Sequence, residues 1–480
     1  MDNELFRYNS LILRRNDIIA QCASARAELR QLAALSMQGR VAGLTGLSAE
    51  IVGLSGHVAV GDRITLQARD GRQITSEVVG FRGGTAQTMS FGPLAGLGPG
   101  GKALSRQRDP SHTQASGPQL AVSHSWLGRV IDPLGQPMDG KGALAPGDQP
   151  RPVRTAPPDA ASRGRLGPRL DLGVRVLNCF ATCRRGQRLG LFAGSGVGKS
   201  TLLGMLARHT ACDVAVLALV GERGREVREF IEDELGPEGL ARSVVVVATS
   251  DSPPLMRREA AYAAMTVAEH FRDQGQSVLL MMDSVTRFCL ALREIGLSAG
   301  EPPATRGYPP SVFAELPQLL ERAGPGLDQP GRKLGHITGL FTVLVEGDDH
   351  NEPVADAVRG ILDGHVILDR RIAERGRYPA VDILRSLSRT VPGCLEPEQH
   401  TLARRARAVL ALHAEMADLV RLGAYRAGSD PQVDAALDLA PRIEAMLHQR
   451  NDRSGLAESF AMLRRALETE GDAGGTTNGA

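Results

Sequence analysis

Five short apolar runs between residues 188 and 345 constrain this chain more than anything else in it. RLGLFA (188–193), DVAVLALVG (213–221), SVVVVATS (243–250), SVLLMMDS (277–284) and LFTVLV (340–345) are continuous rather than alternating. A strand reads that way when both of its faces are covered, and helical segments separate the runs. The expectation is an α/β domain with a mostly parallel sheet, spanning 171–395.

The first run leads into FAGSGVGKST (192–201), and Leu202, Leu203 and Leu206 follow on one helical face. Gly194, Gly196 and Gly198 lack a Cβ, which lets backbone N–H groups turn inward at a helix N-terminus, where an anion is welcome. Lys199 is placed to meet terminal phosphates, and the Ser200 hydroxyl to hold Mg2+. Ala193 departs from the pattern G-x-x-x-x-G-K-[ST], a methyl being tolerable there if φ is negative. Residues 193–201, with Ser195, Val197 and Thr201 among them, are the expected seat of a nucleoside triphosphate with its magnesium.

Other residues stand at informative places with two readings each. Asp283 ends an apolar run, where it can join the Mg2+ shell beside Ser200 or cap the following helix. Glu222 follows DVAVLALVG directly; it can polarise an attacking water or serve a helix's first turn. Arg389, in PAVDILRSLSRT (379–390), is either a charge-neutralising finger, commonly supplied by a neighbouring subunit, or a solvated surface arginine. Tyr378 either stacks on adenine or fills core.

Elsewhere the period changes. Residues 16–37 read as an amphipathic helix carrying Ile18, Cys22, Ala25, Leu29 and Leu32 on one face, within an N-terminal segment 1–38. HVAVGDRITLQARDGRQITSEVVGF holds alternating runs joined by Asp70-Gly71, a hairpin signal, so 39–105 is expected to form a small β-barrel. Residues 106–170 read as linker and entry strands, with strand and turn in GRVIDPLGQPMDG (128–140). Beyond 396 the β-like runs stop. EQHTLARRARAVLALHAEMADLVRLG and DPQVDAALDLAPRIEAMLHQR are helical, the second with Asp430 as cap and Pro431 in its first turn, giving a helical domain over 396–470. The tail 471–480 reads as disordered.

The composition narrows the class. Net charge is +2 over 480 residues, so no global basic field points to nucleic acid. The start, MDNELFRYNSLILRRNDIIA, lacks the apolar core of a secretory signal, and no run approaches the ~18 apolar residues of a membrane span. Six scattered cysteines without metal-like spacing fit reduced thiols in a cytoplasmic protein.

GLFAGSGVGKSTLL, GERGREV, DSVTRF, RYPAVDILRSLSR and GRVIDPLGQPMDG together resemble the head subunits of rotary ATP synthases. The stretches 296–326 and 341–380 narrow the resemblance to the type III secretion ATPases, and within them to the flagellar export branch. The resemblance spans about 40–450. It implies a RecA-like P-loop core between a small β-barrel and a helical C-terminal domain. It implies that Lys199 binds the β- and γ-phosphates, that Ser200 and Asp283 hold Mg2+, and that Glu222 activates water. Arg223 would reach the γ-phosphate, Tyr378 would line the adenine pocket, and Arg389 would enter the neighbouring subunit's site.

One chain carries every part, so a homohexameric ring with an active site at each interface is expected. The resemblance further implies a stator-like regulator at the N-terminal helix. Export substrates, chaperones and a central-stalk protein would meet the C-terminal domain, and a membrane export gate would hold the ring at the inner membrane. Residues 296–310 would form a loop near the central channel. Three alternatives accompany this reading. An injectisome ATPase shares the motifs. A nucleic-acid translocase would need stacking aromatics that a barrel with only Phe81 and Phe91 scarcely offers, so no nucleic acid is expected. A non-catalytic ring subunit is expected to lack Glu222.

Overall fold

The computed structural model describes residues 36–106, 118–328, 330–331, 333–345 and 352–468. The chain divides into two compact units, Met1–Gly117 and Pro118–Ala480. The helix expected over 16–37 lies outside the described residues up to 35; Ser36 and Met37 open a strand instead. Residues 107–117 of the linker and the tail 471–480 also lie outside.

The first unit is a closed six-stranded barrel. Its strands are β1 (Ser36–Thr45), β2 (Ser48–Val52), β3 (Arg63–Gln67), β4 (Gln73–Arg82), β5 (Thr85–Ser90) and β6 (Lys102–Arg106), paired in the order β1-β2-β5-β4-β3-β6. Alternation turns Ile51, Ile64, Leu66, Val78 and Ala86 inward to a common core. The turn between β3 and β4 contains Gly71 at φ 85°, the left-handed conformation that the Asp-Gly pair anticipated.

The second unit is built on a nine-stranded sheet. Eight strands follow one path: β7 (Arg129–Ile131), β8 (Arg188–Ala193), β9 (Val214–Glu222), β10 (Ser243–Thr249), β11 (Ser277–Asp283), β12 (His336–Leu344), β13 (Gly364–Leu368) and β14 (Val381–Ser388). Their spatial order is β14-β13-β8-β12-β11-β9-β10-β7, and a two-residue strand, Gly324–Pro325, pairs off the path with β12. Seven of the eight run parallel; β14 alone runs against its neighbour β13. The continuous apolar runs have the cause inferred for them. In β9, Val214, Val216, Ala218 and Val220 enter one core while Ala215, Leu217 and Leu219 enter the other.

The helices that matter to the site follow strand ends: α1 (Lys199–His209), α2 (Pro254–Asp273) and α3 (Val285–Ala299). Three more close the chain: α4 (Pro397–Arg421), α5 (Pro431–Leu447) and α6 (Leu456–Leu467). Asp430 caps α5 by accepting a hydrogen bond from the Gln432 N–H, with Pro431 in the first turn. Leu410, Ile443 and Leu463 of these helices join Leu177 and Phe180 in the core below the sheet.

The loop expected over 296–310 begins later, because α3 continues to Ala299 and ends at left-handed Gly300. Gly296 is no breaker here. A Cβ on it would stand 3.1 Å from Pro309 Cγ, so glycine lets the returning chain pack closely on the helix. Among the described residues no helix is long and apolar enough to cross a membrane. The described cysteines are free.

Candidate functional site

Every parallel strand of the second unit ends on the same edge of the sheet, and the chemistry gathers there. β8 ends at Ala193, paired with Leu344 and Leu368 on its two sides. Ala193 is thus extended strand rather than turn, which is why a methyl is accepted where the motif has glycine. The connection then needs positive φ at two places, Gly196 (76°) and Gly198 (84°). Gly194 and Val197 are buried, while Ser195 and Gly196 face outward. α1 starts at Lys199 with left-handed Gly198 as its cap and no side-chain hydrogen bond to its first N–H groups. Those donors are left for a ligand, and an anion suits them.

Three charged side chains meet beside this cradle. The Lys199 ammonium is hydrogen-bonded to Asp283 Oδ1 and lies 3.7 Å from Glu222 Oε1. Asp283 ends β11 opposite Leu219, and Glu222 ends β9 three residues further on, so both carboxylates stand at the same edge of the sheet. The capping alternative for Asp283 is removed: Ser284 caps α3 by accepting from the Arg287 N–H. Asp283 Oδ1 also accepts from the buried Thr342 hydroxyl at 2.7 Å, which fixes the carboxylate's rotamer. Glu222 Oε1 is buried with no hydrogen-bond partner. Burial pushes the Glu222 carboxyl above its usual range, against the opposing pull of Lys199.

Ser200 is exposed, and its hydroxyl engages no described residue. Thr201 is committed elsewhere, donating at 2.8 Å to Glu234 in the π-helical turn Phe230–Leu235. Among the described residues no cluster of three His, Cys, Asp or Glu side chains is arranged to hold a metal unaided. The donor set of one serine hydroxyl and one carboxylate fits a hard, oxygen-seeking cation that brings further oxygen ligands with it, as Mg2+ on a polyphosphate does.

Arg223 is mostly exposed and ion-paired with Glu226 at 3.1 Å, away from the lysine cluster. Tyr378 is 38% exposed, and a Cβ added to Gly198 would come within 3.1 Å of its ring. The ring therefore lies against the end of the cradle. Arg389 is exposed and sits at the other edge of the sheet. Because β14 pairs Val381 with Leu368 and Ser388 with Gly364, it carries the chain from the cradle level back to the start of the strands. β14 bulges on the way, so its span follows its partner β13: from Leu368 to Gly364 is four residues, roughly 13 Å at about 3.3 Å per residue. Among the described residues the Arg389 guanidinium has no partner.

Sequence reasoning passes over three neighbours of the site. Thr342 is a hydroxyl inside an apolar run, a visible anomaly. Arg287 lies one helical turn after Asp283 and packs its stem against Gly221, where a Cβ would sit 3.1 Å from its Cδ. Arg370 donates to the Ser195 carbonyl at 3.2 Å, a contact from across the chain that carries no local signal.

Comparisons with known proteins bear on the family and the fold. Residues 173–388 match the nucleotide-binding domain of the ATP synthase alpha/beta family, and 395–465 match the C-terminal domain of the type III secretion ATPase EscN. The flagellum-specific ATP synthase of Caulobacter vibrioides is 53% identical over 446 residues, covering 92% of this chain and 99% of that protein. The assembled EscN ATPase of the enteropathogenic E. coli type III secretion system superposes with a TM-score of 0.81 at 38% identity, covering 90% of this chain and 100% of that one. EscN assembled with its central stalk EscO gives 0.79 at the same identity and coverage.

Proposed function

Because this chain belongs to the ATP synthase alpha/beta family and, within it, to the type III secretion ATPases, we propose that it hydrolyses ATP as a homohexameric ring and energises unfolding and export of flagellar proteins. The observation that carries the reading is the division of parts between two edges of one sheet. Lys199, Glu222 and Asp283 converge on one edge, and Arg389 stands on the other. A ring joining unlike edges of successive subunits completes every site with a neighbour's guanidinium.

In this mechanism the backbone N–H groups of 194–200 hold the β- and γ-phosphates, and Lys199 turns from Asp283 to meet them. Ser200 and Asp283 would hold Mg2+, which when bound neutralises charge on the phosphate oxygens. Glu222, with its buried unpartnered oxygen, orients and deprotonates the attacking water. Arg389 of the adjoining subunit stabilises charge on the transferring phosphoryl group. Arg223 reaches the γ-phosphate once its pair with Glu226 opens, and the Tyr378 ring stacks on adenine.

The remaining partners follow the same reading. A relative is assembled with a central stalk, and we assign the equivalent contact here to the ring's C-terminal helices. Those helices also receive export substrates and chaperones, residues 1–38 receive a stator-like regulator, and the export gate recruits the ring from the cytoplasm to the inner membrane. An injectisome role uses the same residues; flagellar genes flanking this one separate the two.

The test is complementation across interfaces. Arg389→Ala and Lys199→Ala each abolish phosphate release alone. Mixed in equal amounts, they regain activity at up to about one quarter of the interfaces, the fraction that random assembly gives an intact cradle beside an intact guanidinium. A mixture as silent as its components removes the trans arginine.

A further inference from the structure

Arg389 leaves the strand at a surface where a long side chain has many rotamers and no described partner, yet the backbone that carries it is held by one buried residue. Gln187 is fully buried and stands immediately before β8. Its carboxamide uses both donors and both acceptors. Nε2 donates to Ser388 Oγ at 2.9 Å and to the Asp363 carbonyl at 3.3 Å. Oε1 accepts from the Thr390 hydroxyl at 3.0 Å and from the Arg184 N–H at 2.9 Å. Ser388 in turn donates to the Thr182 carbonyl at 2.7 Å.

The residues on either side of Arg389 are thus tied to one amide. Arg389's own N–H donates to the Asp363 carbonyl at 3.0 Å, the same oxygen that Gln187 uses. A carboxamide is the side chain that meets this pattern at this length. Glutamate offers no donor to Ser388 or Asp363, and leucine offers nothing to any of the four.

We propose that Gln187 is a positioning residue for the trans arginine: it fixes the backbone of 388–390 so that the Arg389 guanidinium is aimed at the neighbouring subunit's nucleotide. This rests on the reading of Arg389 given above. The same geometry links two sites, since β8 begins at the seat of the arginine and ends, at Ala193, in its own subunit's cradle. Removing Gln187 spares that cradle and impairs the site next door.

The experiment compares Gln187→Leu, Thr390→Val and Arg389→Ala as full-length proteins, each alone and mixed with Lys199→Ala, reading phosphate release and nucleotide affinity. A misaimed catalytic group costs on the order of 10²-fold. Gln187→Leu is expected to lose roughly 10- to 100-fold in kcat with KM within about threefold, and Thr390→Val less in the same direction. Mixing with Lys199→Ala, whose guanidinium is correctly seated, restores turnover at the Gln187→Leu cradles.

Damage that Gln187→Leu did to its own cradle would raise KM and resist rescue, and that result overturns the proposal. If Gln187→Leu does not fold, Thr390→Val decides: unchanged kcat overturns the proposal, and reduced, rescuable kcat supports it. If Arg389→Ala itself keeps full activity, the finger reading fails first and takes this inference with it. If Arg389→Ala is rescued and Gln187→Leu is not, this inference alone fails.

Discussion

Glu222→Gln removes one charge at constant shape, and the structure gives the sign of the effect. Glu222 Oε1 is buried without a hydrogen bond, and the Lys199 ammonium is 3.7 Å away. At an effective dielectric near 20 that attraction is about 4 kcal/mol. Taking a carboxylate out of water costs several kcal/mol, so the two nearly cancel. Burial prevails, because it holds the Glu222 pKa above the ordinary 4.5 despite the lysine. The folded protein therefore binds this proton more tightly than the unfolded chain does. Ionised Glu222 subtracts stability; the cost is absent below pH 4.5 and complete above the raised pKa. Glutamine removes the cost, and Lys199 keeps its ion pair with Asp283. The variant should be more stable than its parent at about pH 7.5, with the gain closing as pH falls toward 4.5. Turnover should fall about 10²- to 10⁴-fold while ATP still binds. Thermal unfolding of both nucleotide-free proteins from about pH 4.5 to 8, beside phosphate release, measures all three. A variant less stable than its parent at the upper end, or a gain indifferent to pH, refutes the dominance of burial.

Two further perturbations probe other parts of the molecule. Tyr378→Ala should weaken ATP binding roughly tenfold or more, since a stacked base is worth about 1–3 kcal/mol, while Tyr378→Phe should bind normally because the phenol oxygen has no described partner; titration with a fluorescent ATP analogue distinguishes them. Arg322→Met should cost about 3–5 kcal/mol in denaturant unfolding, because it strands the buried Glu269 carboxylate that Arg322 meets at 2.7 and 2.9 Å; adding Glu269→Leu should recover much of that loss.

Legibility in the sequence divides by range. RLGLFA coincides residue for residue with β8, since covering both faces of a strand leaves a continuous apolar mark. The hairpin at Asp70-Gly71 and the cap at Asp430 are equally local, and so is the cradle. β13 leaves no such mark: five residues with a half-buried His365 give too short and mixed a signal. The third closing helix, α6, does not separate itself within 396–470. Gly296 misleads because a glycine chosen for close packing looks like one chosen for a turn. Gln187, Thr342 and Arg370 owe their places to topology, Gln187 meeting Ser388 across 201 residues of chain. Periodicity records what a residue does to its near neighbours in sequence, and these contacts are not near in sequence.

The reversed course of β14 has a cellular consequence. On the role proposed for Arg389, a newly made subunit would load nucleotide while its own guanidinium stays on the far side of the sheet, and alone it would consume nothing. On that proposal, geometry rather than an inhibitor would protect the ATP pool during assembly, with ring closure as the licensing event.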